Sequence, residues 1–195
     1  MKTWNVAATA RVVPLWALLA VVAGCASPSP HFYTLSATTA PSTTASTLSI
    51  AVSPVSVPAL VDRPQIVLGT GPNEVRLDEF NRWAGPLADN ISRVIQANLS
   101  QDLGTPHVWS TFLSGQPTPD FQVTVSVQRF ETQPGDASTV EVFWTVRRSA
   151  GGAPKIGHSL VREASVGAGV EPMVSAHSRA LARISADIAA AIRSM

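Results

Sequence analysis

Four stretches of the chain alternate apolar and polar residues, and two others repeat apolar residues at helical spacing. In "LSIAVSPVSV" (48–57), Leu48, Ile50 and Val52 stand against Ser49, Ala51 and Ser53, the sign of a half-buried strand. "DFQVTVSVQRF" (120–130) sets Phe121, Val123, Val125 and Val127 against Gln122, Thr124, Ser126 and Gln128. "STVEVFWTVRR" (138–148) repeats the pattern with Val140, Val142, Trp144 and Val146. "HSLVREASV" (158–166) puts Leu160, Arg162, Ala164 and Val166 on one parity, with the Arg162 stem expected to snorkel at the strand edge. The runs "PQIVLGT", "EVRLDE" and "HVWSTFL" add shorter strand candidates. The stretches "GTGPN", "TQPGDA" and "AGGAPKIG" supply turns between the strands.

Leu87, Ile91, Val94, Ile95 and Leu99 form a stripe of helical period, opened by Pro86 and stopped by Gly104 and Pro106. A second stripe follows Pro172 and runs through Met173, His177, Ala180, Leu181, Ile184, Ile188, Ala191 and Ile192. His177, on that apolar stripe, reads as a core histidine. The order β-β-(β)-α-β-β-β-β-α predicts an α+β fold. Its architecture would be a two-layer sandwich, a mostly antiparallel sheet with two amphipathic helices packed on one face.

The first 47 residues do not belong to this pattern. Lys2 and Arg11 precede the apolar run "VVPLWALLAVVA" (12–23), which is too short to span a bilayer and has the layout of a secretory signal. It ends in Val22-Ala23-Gly24-Cys25, which resembles a bacterial lipobox, and Cys25 is the only cysteine in the chain. The expected organisation is a signal peptide over 1–24, a lipidated Cys25 with a flexible tether through residue 47, and one domain over 48–195. Diacylglyceryl and amide-linked acyl chains on Cys25 would give stable attachment, where one chain alone is marginal. Ala26 after the cysteine, rather than Asp, points by resemblance to the outer membrane. The uncharged Ser/Thr/Pro/Ala stretch 26–47 reads as tether, except that "FYTL" (32–35) is expected to dock on the domain.

Removing residues 1–24 leaves 12 basic against 13 acidic residues, which argues against nucleic acid as a partner. His31, His107, His158 and His177 form no metal-ligand spacing, and no nucleophile elbow or phosphate loop is present in the sequence. His158 and Ser159 are adjacent on a strand and so point to opposite faces. Asp62 and Asp120 read as turn or capping residues. The chain reads as a non-enzyme that needs no cofactor and no metal.

Two stretches exceed what a generic sandwich requires. "VPALVDRPQIV" (57–67) places Asp62 and Arg63 between apolar segments, and "EFNRWAGPL" (79–87) places Trp83 just ahead of a helix. With the lipobox and Tyr33-Thr34-Leu35, these residues resemble the PqiC-type family of ABC-transport auxiliary lipoproteins. The resemblance implies a lipid-anchored protein at the periplasmic face of the outer membrane of a Gram-negative bacterium. Its implied partners are a lipid-binding, periplasm-spanning MCE-domain protein and the associated inner-membrane permease. Arrangement of several copies as a homo-oligomeric ring is also implied. Asp62, Arg63, Gln65 and Trp83 are the expected partner-binding residues, and Cys25 is the lipidation site. The alternative reading is a pilotin-like assembly lipoprotein for an outer-membrane complex. A hydrolase using His158 and a lipid carrier with its own cavity are weaker competitors.

Overall fold

The computed structural model describes residues 29–111, 115 and 117–195. Cys25 and the expected signal peptide over 1–24 lie outside the described residues. The strands are β1 (His31–Tyr33), β2 (Ile50–Val52), β3 (Gln65–Gly71), β4 (Glu74–Trp83), β5 (Val108–Ser110), β6 (Phe121–Thr132), β7 (Ala137–Arg148) and β8 (Lys155–Ala164). The helices are α1 (Leu87–Leu103) and α2 (Glu171–Arg193). The α+β expectation holds, with both helices where the stripes put them.

One sheet was expected; there are two. The order β5-β2-β6-β7-β8 makes a five-stranded sheet, and β1-β4-β3 a separate three-stranded one. Both are mixed. β6, β7 and β8 form the antiparallel meander, but β2 runs parallel to β5 and β6, and β1 runs parallel to β4. Helices α1 and α2 pack together, and α2 lies across β7 and β8, so the inward valines of β6 and β7 are sealed from water.

The period-two pattern located the inner face of β6 and β7. Val123, Val125, Val140, Val142 and Val146 are all buried. A bulge between Val127 and Arg129 then shifts the parity, which lets Phe130 and Thr132 point inward as well. In β2 the alternation misleads, because Ile50, Ala51 and Val52 are all buried in a strand flanked on both sides.

The expected inner parity of β8 is the outer one. Leu160, Arg162 and Ala164 are exposed, while Ser159 and Glu163 are buried. The register with β7 decides this, since Trp144 pairs with Gly157 and its ring covers that glycine. A Cβ on Gly157 would fall 2.0 Å from Trp144 Cζ2. Ser159 Oγ accepts from Trp144 Nε1 at 3.1 Å and donates to Asp187 Oδ2 at 2.6 Å. Glu163 meets Arg179 Nε at 3.2 Å and Arg183 Nε at 2.7 Å. Arg162 on the outer face pairs with Asp136. His158 is also on the outer face, stacked on Phe143, so it and Ser159 do diverge.

The described part of the expected tether is packed on the domain. Residues 31–33 are β1, and Leu35 is fully buried. Beyond it, the backbone N–H groups of Thr38 and Thr39 donate to Asn98 Oδ1 at 3.2 and 3.4 Å. Ser42 N donates to Gln101 O at 2.8 Å and Ser46 N to Gly104 O at 2.9 Å. The segment lacks apolar residues for a core of its own, but its backbone groups find partners along α1. Gly104 closes α1 at φ 64°, and a Cβ there would lie 2.0 Å from Thr44 O.

Candidate functional site

The segment 58–64 is a tight, internally bonded turn. Val61 N and Asp62 N both donate to Pro58 O, at 3.0 and 3.2 Å, and Arg63 N donates to Val61 O at 2.9 Å. Val61 is buried and pins the turn from within, which leaves Asp62 facing solvent. The turn is tied to the end of β4, where Trp83 N donates to Pro64 O at 2.7 Å. The next residue, Ala84, donates its N–H to Tyr33 O at 2.8 Å, so β1 braces the same corner.

Trp83 is buried and packs its edge against Phe130, with centroids 6.1 Å apart. Phe130 in turn stacks flat on His177 at 3.9 Å. The Trp83 position is therefore held by an aromatic column running into the core. His177 Nε2 shares a 2.7 Å hydrogen bond with Thr132 Oγ1. Complete burial lowers the His177 pKa from 6.5 to about 3.

Asp62, Arg63, Pro64, Trp83, Gly85, Pro86 and Leu87 surround a shallow pocket of about 340 Å³. Its walls are an indole, two prolines and a leucine; its charged groups are one guanidinium and one rim carboxylate. Among the described residues, neither Asp62 nor Arg63 takes part in an ion pair. Arg63 Nε is out of contact with water and has no hydrogen-bond partner among the described residues. A buried donor without a partner is costly, so an acceptor arriving at this corner gains more than it would from a solvated arginine.

Three of the four expected partner-binding residues thus meet at one place. Gln65 does not line the pocket; its Nε2 donates to Glu79 Oε2 at 3.3 Å on the three-stranded sheet. Leu87, also in the lining, was read from sequence as the first residue of the helical stripe and the last of the "EFNRWAGPL" stretch. A second, larger cleft of about 500 Å³ lies between the β3–β4 hairpin and β6, with Leu60, Val75, Phe130 and Arg129 among its lining. Sequence reading missed it because its walls are far apart in the chain.

Residues 33–189 match the model of a family described as "ABC-type transport auxiliary lipoprotein component". No curated protein matches the chain. Among solved structures, one of an uncharacterized protein is similar with TM-score 0.69 at 22% identity, covering 85% of this chain and 99% of its own. A protein from Xanthomonas campestris, assigned to the family DUF330, is similar with TM-score 0.68 at 17% identity, covering 82% of this chain and 92% of its own. At these identities the likeness is one of fold.

Proposed function

The chain belongs to the ABC-type transport auxiliary lipoprotein family, and on that premise we propose that it docks a periplasm-spanning MCE-domain protein to the outer membrane. In this reading Cys25 carries the acyl chains and holds the domain at the periplasmic face of that membrane. The MCE protein and its inner-membrane permease carry and move the lipid, and ATP is consumed by the permease complex rather than here. The observation that carries the reading is the meeting of Asp62, Arg63 and Trp83 around one pocket, with an Arg63 Nε that has no acceptor among the described residues. Arginine and tryptophan dominate the energetics of protein interfaces when they sit in rigid, largely desolvated pockets. Here the turn hydrogen bonds and the Trp83–Phe130–His177 column supply the rigidity.

The test is a mild-detergent pull-down of the tagged full-length protein from its native envelope, read by mass spectrometry. Arg63→Ala, Asp62→Asn and Cys25→Ala are run beside it. The expected result is recovery of an MCE-domain protein and its permease, with strong loss in Arg63→Ala. Cys25→Ala should release the complex from the outer membrane. Recovery of a secretin-type pore instead would favour the pilotin-like alternative. Undiminished MCE recovery by Arg63→Ala would remove the pocket from the interface.

A further inference from the structure

Eight large apolar side chains are exposed among the described residues, and they divide by sheet. Phe143, Ile156, Leu160 and Val166 belong to β7, β8 and the turn that follows. Phe32, Leu60, Val75 and Phe80 belong to β1, β4 and the loop before β3. Phe32 is 63% exposed and Phe80 47%.

Two members of the second set are placed by backbone chemistry. The β3–β4 ladder passes from Ile66↔Asp78 to Gln65↔Arg82, so Glu79, Phe80 and Asn81 have no counterparts on β3 and bulge outward. Asp78 holds the bulge in shape. Its Oδ1 accepts from Phe80 N at 3.1 Å and Asn81 N at 3.0 Å, and its Oδ2 accepts from Asn81 Nδ2 at 2.9 Å. Phe32 stands in register with Arg82 on the neighbouring strand. Its chain neighbour Tyr33 pairs with buried Trp83, so Phe32 takes the opposite, outward face.

The chain that precedes β1 says what covers this face. Cys25 lies six residues before His31, and six residues extend at most about 20 Å. With Cys25 acylated, β1 and the strand it pairs with are tied within that distance of the leaflet. The β7–β8 patch has no such tie in sequence. Charge does not supply the attraction. Arg82 lies 3.7 Å from Glu79, and along β4 Arg76 and Arg82 are outnumbered by Glu74, Asp78 and Glu79.

We propose that Phe32 and Phe80 insert into the periplasmic leaflet beside the lipid anchor, at the boundary between its headgroups and acyl chains. The three-stranded sheet then lies on the membrane and fixes the domain's orientation. This rests on the reading of Cys25 as the lipid attachment site. The ligand is the apolar boundary of a phospholipid surface, and binding through it does not weaken with salt.

The experiment uses the full, mature lipidated chain in phosphatidylethanolamine–phosphatidylglycerol vesicles. Phe32→Cys, Phe80→Cys and Ile156→Cys are made singly and labelled with a bimane fluorophore. The sulfur of Cys25 is occupied by its lipid, so each introduced thiol is the one that reacts. With brominated acyl chains in the vesicles, labels at 32 and 80 should lose roughly half their emission, as expected for groups buried at the headgroup–acyl boundary. The label at 156 should be unaffected, and high salt should change neither result. Acylated protein whose labels at 32 and 80 stay unquenched, or are quenched no more than that at 156, overturns this inference alone. Quenching abolished by salt also overturns it, in favour of a charged contact. An N-terminal peptide whose mass shows no acyl chains overturns the Cys25 reading, and this inference with it.

Discussion

His177 makes the stability of this domain fall on mild acidification. The imidazole is buried, stacked on Phe130 at 3.9 Å, with Nε2 bonded to Thr132 and Nδ1 without a partner among the described residues. A protonated ring would need an acceptor at both nitrogens, and among the described residues only Nε2 has a hydrogen-bond partner. Burial accordingly holds its pKa at about 3 rather than 6.5. Above pH 6.5 neither the folded nor the unfolded chain is charged at this residue, and it contributes no pH dependence. Below 6.5 the unfolded chain takes up a proton that the fold refuses. Unfolding free energy then drops by about 1.4 kcal/mol per pH unit until the folded pKa is reached. Between pH 6.5 and 5 the loss is about 2 kcal/mol, a sizeable part of a typical domain's 5–15 kcal/mol. Asp102 acts in the opposite sense, because burial raises its pKa from 3.8, but its window lies at the acid end. The assay is urea unfolding followed by tryptophan fluorescence across the interval above pH 5, for the native chain and for His177→Gln. The glutamine keeps a polar atom for Thr132 and does not titrate. The native chain should show the slope, and His177→Gln should be less stable near neutrality but flat. A flat native profile, or an equal slope in both, would refute the reasoning.

Replacing Asn98 by Ala removes the acceptor for Thr38 and Thr39, and should cost about 1–2 kcal/mol. Hydrogen exchange should accelerate first over residues 36–46; unchanged protection there would mean that the segment is held by other contacts. Gly104→Ala should loosen the same segment more strongly, since its methyl group would collide with Thr44 O. Gly157→Ala should lower stability by about 2–3 kcal/mol, because the Trp144 ring must move and break its bond to Ser159. Thermal unfolding and the Trp emission spectrum read both effects, and an unshifted midpoint would count against the packing described.

How much of this could be read from the residues in order depended on whether the information was local. The valines of β6 and β7 face inward because side chains alternate along any strand, and α1 ends at Gly104 because a left-handed cap suits glycine. For β8 the same reasoning picked the wrong face. Its apolar Leu160 and Ile156 are exposed and its Glu163 is buried, because the parity was set by Trp144 lying over Gly157 and by two arginines from α2. The segment 36–46 looked like a tether because tether composition means few apolar residues. Its hydrogen-bond partners on α1 come some sixty residues later in the chain. At the candidate site, the oddness of Asp62, Arg63 and Trp83 was visible as charge and indole beside apolar runs. That Gln65 stands apart from them follows from β3 geometry, which turns its side chain toward Glu79.

The sequence by itself determined what depends on near neighbours: the helices and their ends, most strands, the meander, the α+β class, and the motifs that resemble a transport auxiliary lipoprotein. The tertiary structure alone decided the split into two sheets, the parallel placement of β2 and β1, the inner face of β8, the docking of residues 36–46 beyond the expected 32–35, and the setting of Arg63 in its pocket. Backbone propensity and side-chain period act over a few residues and leave a trace in the order of the chain. Strand register, packing of one ring on another and satisfaction of buried polar groups depend on residues brought together from distant positions, so they are settled only when the chain closes on itself.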